Sequence, residues 1–233
     1  MKIRLPLLTL RYGPCARLCK LIATGFLVFA LPFGQRAEAE AVEVVALGDS
    51  ITQGYGLNPG EGLVDQLRGW LFTQGAEVRV VNAGVSGDTT AGGRERLAWS
   101  LTGGTDAVIL ELGGNDMLRG LPPAQARENL SAMLDELKAR EVPVLLVGLE
   151  APGNYGPAYK TEFDALWPEL AARYDTLLLE NIYAPIMAYP PQERAALGLM
   201  QGDGIHPSPE GVALIIRELG PKVLELIARA KAG

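Results

Sequence analysis

Cysteine and histidine are nearly absent from this chain. The 233-residue sequence has two cysteines, Cys15 and Cys19, and one histidine, His206. Because both cysteines lie close to the amino terminus, the rest of the chain can form no disulfide and must rely on its core. Hydrophobic residues make up 48% of the sequence and charged residues 21%, which is enough apolar material for one globular domain.

The amino-terminal segment has the layout of a secretory signal peptide. Basic residues precede an apolar run over 21–33, and small residues follow at 37–41. The run is shorter than the roughly 20 apolar residues that span a bilayer, so a membrane anchor is the less favoured alternative. We predict that residues 1–39 are removed by cleavage near 39–41. Residues 42–233 then form the mature domain, exported to the periplasm or secreted.

Positive charge is scarce in the predicted mature domain. Residues 1–39 carry six of the 21 Lys and Arg and one of the 27 Asp and Glu, so 15 basic residues remain against 26 acidic ones, a net charge of −11. Such a surface repels nucleic acid and anionic lipid headgroups. We therefore expect no nucleic-acid partner and no stable membrane span after cleavage. The sequence does not indicate an oligomeric state.

One serine stands where a buried parallel strand is expected to end. The β-branched run that starts at Val42 stops at Gly48, and Ser50 follows in a glycine-containing segment. Open α/β sheets bind ligands at the carboxyl ends of their strands, so this position favours a nucleophile. A helix cap or a phosphate contact is the alternative for an isolated serine of this kind.

The single histidine provides the base that a serine nucleophile needs. Asp203 precedes His206 by three residues in a glycine-containing turn. In such a turn the carboxylate can accept from one imidazole nitrogen while the other nitrogen faces Ser50. The spacing therefore predicts that acid and base form one local unit. A bracing role for Asp203 within its own turn is the alternative.

Strands and helices alternate along the whole predicted domain. Strands are predicted at 42–48, 78–81, 107–112, 143–149 and 176–180. Helices are predicted over 63–75, 90–100 and 158–173, after Pro122-Pro123, and after Ser208-Pro209, with short helical pieces over 184–200. This order predicts an α/β fold, a single three-layer α/β/α sandwich around a parallel five-stranded sheet. The loop 150–157 is expected to cover the site.

Four short blocks in this order resemble the SGNH hydrolase superfamily, the GDSL-type esterases and lipases. They are Gly48-Asp49-Ser50, Gly87 within Ser86-Gly87-Asp88-Thr89, Gly113-Gly114-Asn115-Asp116, and Asp203-Gly204-Ile205-His206. Within the superfamily, Glu111-Leu112-Gly113-Gly114-Asn115-Asp116 and Asn154-Tyr155-Gly156 resemble the bacterial periplasmic branch described as arylesterase, acyl thioesterase and lysophospholipase. The resemblance implies a flavodoxin-like sheet and hydrolysis without a metal or an organic cofactor.

Carried over residue by residue, the resemblance makes Ser50 the nucleophile, His206 the base and Asp203 the acid that orients it. It further implies an oxyanion hole formed by the backbone amides of Ser50 and Gly87 and the side-chain amide of Asn115. The expected substrate is a small acyl ester of short or medium chain length, aryl esters included.

Several alternatives remain open at this stage. Lysophospholipid or thioester hydrolysis would use the same site, and carbohydrate deacetylation is a further possibility. A flavodoxin-like module that binds flavin or phosphate is the non-enzymatic alternative. Asp49, Asp88 and Asp116 are expected to hydrogen-bond loop amides, and Arg94 and Arg96 to lie on a solvated helix face. Glu111 ends an apolar strand with no chemistry assigned to it; a neighbouring loop or an arginine is its expected partner.

Overall fold

Five parallel strands form the centre of the protein. The computed structural model describes residues 41–232. The strands are β1 (Val42–Gly48), β2 (Val78–Gly84), β3 (Ala107–Glu111), β4 (Val144–Val147) and β5 (Leu177–Leu179). They pair in the order β2-β1-β3-β4-β5. The central strands are buried along their whole length, as expected for a sheet covered on both faces.

The register of the first three strands sets the position of the site. Gly48 at the end of β1 pairs with Gly84 at the end of β2 and with Glu111 at the end of β3. The three strands therefore finish at the same level. The segments that follow them emerge side by side at one edge of the sheet.

Ten α-helices of the described residues connect and cover the strands. They are α1 (Ser50–Gln53), α2 (Leu63–Thr73), α3 (Thr90–Ser100), α4 (Gly114–Leu118), α5 (Pro123–Ala139), α6 (Pro157–Asp164), α7 (Leu166–Tyr174), α8 (Ala184–Met187), α9 (Pro191–Ala196) and α10 (Pro209–Ala230). α2 and α8 each contact α10 on one side of the sheet, whereas α3, α5, α6 and α7 form a second group on the other. The predicted three-layer α/β/α sandwich is confirmed.

Several elements differ in extent from the sequence prediction; β4, for example, is three residues shorter than the predicted 143–149. The helix expected over 158–173 is two helices, because Pro168 has no N–H to donate to the carbonyl of Asp164 and the chain breaks at Ala165. β2 continues three residues beyond its predicted end at Val81. Its last residues were missed because β2 is an edge strand, and polar side chains such as Asn82 interrupt the apolar pattern there.

The amino-terminal prediction lies outside the described residues. Residues 1–40 carry the proposed signal peptide and both cysteines, so the cleavage site and the domain boundaries stay predictions. Over 41–232, no helix combines the length and the apolar character that crossing a membrane requires.

Candidate active site

Ser50 is the first residue of α1, directly after β1. Asp49 caps this one-turn helix, because its Oδ1 accepts a hydrogen bond from the amide of Ile51 at 3.0 Å. Gly54 ends the helix in the left-handed conformation, with φ of 88°. The side chain of Ser50 therefore stands at the carboxyl end of β1, as predicted, and only 8% of the residue is exposed.

The turn before α10 brings Asp203 and His206 to the same edge of the sheet. Asp203 Oδ1 accepts from the amides of Ile205 and His206, at 2.9 and 3.0 Å, and its Oδ2 lies 2.6 Å from His206 Nδ1. The other ring nitrogen, Nε2, lies 2.7 Å from Ser50 Oγ. A proton on Nδ1 satisfies both contacts, since Nε2 is then free to accept from the serine hydroxyl.

The hydrogen bonds of Asp203 keep this carboxyl ionised. Burial alone raises its pKa, but the His206 side chain and the two backbone amides outweigh burial and lower the pKa to about 2. The carboxylate therefore stays charged and fixes the imidazole tautomer over the whole physiological range. The turn therefore brings the Asp203 carboxylate and the His206 imidazole into direct contact.

The candidate oxyanion donors occupy two further segments. Asn115, in the first turn of α4, lies in the same cleft as Ser50. Its Nδ2 donates to the carbonyl of Asp88 at 2.9 Å and to Asp49 Oδ2 at 3.2 Å. Gly87 has φ of 85°, which a residue with a side chain adopts only with strain, and its carbonyl accepts from Arg119 Nη2 at 2.7 Å. Gly87 is not among the described residues that line the cleft.

A pair of buried carboxyl groups lies beneath Ser50. Glu111 is 1% exposed and Asp49 is 2% exposed. Glu111 Oε2 accepts from the Thr52 hydroxyl at 2.8 Å and from the amide of Asp49 at 3.4 Å, so its partners belong to α1 and its cap. Burial raises the pKa of both carboxyls above their ordinary values, that of Glu111 by far the more. Glu111 thus resists ionisation close to the site.

The expectation for Arg96 is wrong. Arg96 is 9% exposed and forms an ion pair with Asp88, whereas Arg94 on the same helix is exposed as expected. Sequence reasoning missed Arg96 because α3 has almost no apolar periodicity to distinguish its buried face. Asp116 accepts from both the amide and the hydroxyl of Thr90, at 2.8 and 2.6 Å, in agreement with its predicted structural role.

Two tyrosines near the imidazole were also missed. The ring of Tyr55 lies 4.9 Å from the ring of His206, centroid to centroid, with the two planes tilted by 42°. Tyr183 donates its hydroxyl to the carbonyl of Ile205 at 3.0 Å, which holds the turn. Neither residue follows a periodic pattern, so the sequence gives no signal for them.

An apolar cleft of about 620 Å³ opens beside Ser50, Asn115 and His206. Its walls come from α4, from the loop after β4 that was expected to cover the site, and from the 184–200 region. The apolar side chains that line it are Ile51, Met117, Leu118, Leu149, Ala151, Pro152, Ala184, Met187, Ala188, Met200 and Ile205. None of its described lining residues is Lys or Arg, and no group of His, Cys, Asp or Glu within 41–232 is arranged to hold a metal ion.

Comparison with known proteins identifies the family. Residues 46–214 match the GDSL-like Lipase/Acylhydrolase family. The chain belongs to this family. It is 38% identical to Esterase TesA of Pseudomonas aeruginosa over 89% of this chain and 98% of that protein, and 33% identical to Thioesterase 1/protease 1/lysophospholipase L1 of Escherichia coli K12 over 81% of this chain and 86% of that protein.

A solved structure gives the same answer. The crystal structure of AlinE4, a SGNH-hydrolase family esterase, is 41% identical and superposes with a TM-score of 0.65 over 80% of this chain and 96% of that one. The protein is therefore an ester hydrolase of the SGNH type. Its substrate is a small molecule that contains an ester bond.

Proposed function

We propose that the protein is a serine esterase that cleaves carboxylic esters of short and medium acyl chains, aryl esters included, through Ser50, His206 and Asp203. The observation that carries the proposal is the 2.7 Å contact between Ser50 Oγ and His206 Nε2, backed by the 2.6 Å contact between Nδ1 and Asp203. A flavin- or phosphate-binding module would leave this arrangement without a use.

The reaction has two balanced halves. Ser50 Oγ attacks the acyl carbon while its proton passes to His206 Nε2, and the imidazolium then protonates the leaving oxygen as its bond to the acyl carbon breaks. A water molecule next adds to the acyl-serine and gives its proton to His206. Cleavage of the acyl–Oγ bond returns that proton to Ser50 and releases the acid.

The negative charge that develops on the acyl oxygen is assigned to the amides of Ser50 and Gly87 and to Asn115 Nδ2. A preorganised donor of this kind typically contributes about 10²–10³ in turnover. Both hydrogens of the Asn115 amide already have acceptors, Asp88 O and Asp49 Oδ2. The bond to Asp49 Oδ2 is the longer of the two, at 3.2 Å. The oxyanion therefore competes with Asp49 for that hydrogen of the Asn115 amide.

The cleft supports the choice of substrate. Its walls are apolar and accept an acyl chain, and its described lining offers no cationic side chain for a phosphate group. Hydrolysis of lysophospholipids or thioesters is the second candidate, favoured by the name of the Escherichia coli relative. Export to the periplasm, as the leader predicts, would separate the enzyme from cytoplasmic acyl thioesters.

A covalent probe tests the nucleophile. A fluorophosphonate should add to Ser50 in the folded protein, which peptide mass spectrometry would locate. Ser50→Ala should lose both the adduct and measurable turnover, while Ser131→Ala, a serine on α5 outside the site, should retain both. A Ser50→Ala protein that still turns over, or an adduct on another residue, would refute the assignment.

A substrate series tests the specificity. Rates on aryl esters from acetate to dodecanoate should rise to a medium chain length and then fall as the 620 Å³ cleft fills. Acyl-pantetheine should be cleaved faster than the matching acyl-CoA, because the added phosphates meet an acidic protein. Faster cleavage of a lysophospholipid than of every aryl ester would select the second candidate, and preference for acetylated xylan would select deacetylation.

A further inference from the structure

Arg96 is the most completely hydrogen-bonded charge near the site, and the reaction as described does not use it. Its Nε donates to Asp88 Oδ2 at 2.5 Å. Nη1 donates to the carbonyl of Ala83 at 2.8 Å and to Ser100 Oγ at 3.3 Å, and Nη2 donates to the carbonyl of Gly48 at 2.8 Å. A buried guanidinium with this many acceptors is held rigidly, and so are its acceptors.

The backbone acceptors of Arg96 belong to the segments that carry the oxyanion donors. Gly48 ends β1, two residues before Ser50. Ala83 is the penultimate residue of β2, just before the loop that contains Gly87. One guanidinium therefore ties together the backbones of two neighbouring strand ends.

Asp88 extends this connection to the third donor. Its carboxylate binds Arg96, with side-chain exposures of 18% for Asp88 and 11% for Arg96, and its own carbonyl accepts from Asn115 Nδ2 at 2.9 Å. Gly87, whose amide is the second assigned donor, directly precedes Asp88 in the chain. The three donors assigned to the oxyanion hole thus lie on three separate segments. Each segment is connected to Arg96, either directly or through Asp88.

We propose that Arg96 is a positioning residue that holds the Ser50 amide, the Gly87 amide and the Asn115 side chain in the arrangement that receives the oxyanion. The inference rests on the proposed function of the site. It follows from the physics of such holes, because fixed donors stabilise developing charge only where they do not have to reorganise, and small misplacements are costly. A lysine cannot replace Arg96, since its single ammonium does not present the planar fork that reaches Asp88, Ala83, Ser100 and Gly48 at once.

Arg96 also contributes to stability, since its removal leaves the Asp88 carboxylate without its partner. The test must therefore separate positioning from folding. Arg96→Met and Arg96→Lys are compared with Arg94→Met, a change of the same kind at an exposed arginine of the same helix. Each variant is assayed on one aryl ester below its unfolding transition, as measured by circular dichroism.

We expect kcat of both Arg96 variants to fall by about 10- to 100-fold, the range that a weakened oxyanion hole produces, with KM nearly unchanged. Arg94→Met should keep the parent kcat. The acid limb of the pH profile should stay in place, because Arg96 touches neither His206 nor Asp203. An Arg96→Met protein that is folded and retains its kcat would overturn the inference.

A double-mutant cycle with Asn115→Ala shows whether Arg96 acts through the oxyanion hole or independently of it. If Arg96 acts through the hole, adding Arg96→Met to Asn115→Ala should lower kcat by no more than about threefold further, since residues that act as a unit are not additive. Losses that multiply in full would mean that Arg96 acts independently of the hole and would overturn the proposal. Should the arginine variants fail to fold, Asp88→Asn takes their place in the cycle with the same two readings, because it weakens the ion pair and keeps the carbonyl that Asn115 binds.

Discussion

The titratable side chains around Ser50 are held in opposite states by their surroundings. Hydrogen bonds lower the pKa of Asp203 to about 2 although the carboxyl is partly desolvated, whereas burial raises the pKa of Glu111 and Asp49. The carboxyl that faces the imidazole therefore stays charged, and the carboxyl beneath the nucleophile resists charging. Opposite environments of this kind are how a site keeps one ionisable group available near neutral pH.

The first prediction concerns the pH dependence of activity. We expect kcat/KM to fall on acidification from pH 8 to 5, by up to about tenfold per pH unit, because a protonated imidazole cannot accept the proton of Ser50. Asp203, whose pKa is lowered to about 2, stays ionised over this range and should not contribute to this limb. A rate profile that is flat from pH 8 to 5 would contradict a histidine base.

Asp203→Asn should lower kcat on the order of 10²–10⁴-fold, because the amide favours the wrong tautomer of the imidazole.

The second prediction concerns Glu111. A carboxyl whose pKa is higher in the folded than in the unfolded state makes the protein less stable as pH rises through and above the ordinary carboxyl range. Glu111→Gln removes that dependence and keeps an oxygen for Thr52. Urea unfolding should therefore show a smaller loss of stability from pH 5 to pH 8 in Glu111→Gln than in the parent protein.

Glu111→Ala supplies the comparison. It leaves the buried Thr52 hydroxyl without its acceptor, which costs about 1–3 kcal/mol, besides opening a cavity. It should therefore be less stable than Glu111→Gln at both pH values. Parallel stability curves for the parent and Glu111→Gln would show that Glu111 is charged in the folded protein.

Some residues of the site could be predicted from the sequence and others could not. Ser50, Asp203 and His206 could be predicted because each follows a strand or a turn in a recognisable block. Arg96 and Glu111 could not, because a charged residue that is buried looks like one that is solvated until its partners are known. Those partners lie up to 62 residues away along the chain.

Among the elements, α1 and the end of β2 are in close contact. A Cβ built on Gly84 would lie 2.2 Å from the amide nitrogen of Gln53 and 2.7 Å from its Cα, so the neighbour that must move is the backbone of α1. α1 also carries Ser50. A glycine at this strand end thus determines how near the nucleophile's helix approaches the sheet.

The third prediction follows from that contact. Gly84→Ala should destabilise the protein by about 1–3 kcal/mol, because the added methyl group is forced against backbone. It should also lower kcat, since Ser50 moves with α1. Gly69→Ala is the matched control: Gly69 lies inside α2, its Cβ would meet nothing within 4 Å, and alanine should stabilise the helix by roughly 0.5–1 kcal/mol. Urea denaturation and turnover of the two variants check both statements.

The order and type of the main elements followed from periodicity, whereas their ends did not. All five strands and the helix after Ser208-Pro209 were predicted because buried runs and caps are local signals. The one-turn helices α1 and α4 were not predicted, since an element of four or five residues is too short to show a helical period. The break at Ala165 depends on one missing hydrogen bond and is visible only if Pro168 is given precedence over the apolar pattern.

At the scale of the whole molecule, the predicted mature chain is acidic and free of thiols. Its core must hold it together without crosslinks in a compartment where many proteins have them. Buried apolar residues from all five strands and from the longer helices on both faces of the sheet supply that core.

The fourth prediction tests this independence from thiol chemistry. A chain that begins at Glu40 should fold, hydrolyse esters, and unfold at the same temperature with and without dithiothreitol. Amino-terminal sequencing of the exported protein should find a start within residues 39–42. An unfolding temperature that depends on the reductant, or a mature protein that retains Cys15 and Cys19, would contradict the proposed processing.

The cleft wall contains three methionines, Met117, Met187 and Met200, and Met187 is 47% exposed. Peroxide converts an accessible thioether to a polar sulfoxide, which would place oxygen atoms along the path of an acyl chain. Treatment with dilute peroxide should therefore slow hydrolysis of an octanoyl ester far more than that of an acetyl ester, and methionine sulfoxide reductase should restore the ratio. An ester hydrolase with such a cleft would lose its long-chain substrates under oxidative stress before it lost activity on short-chain ones.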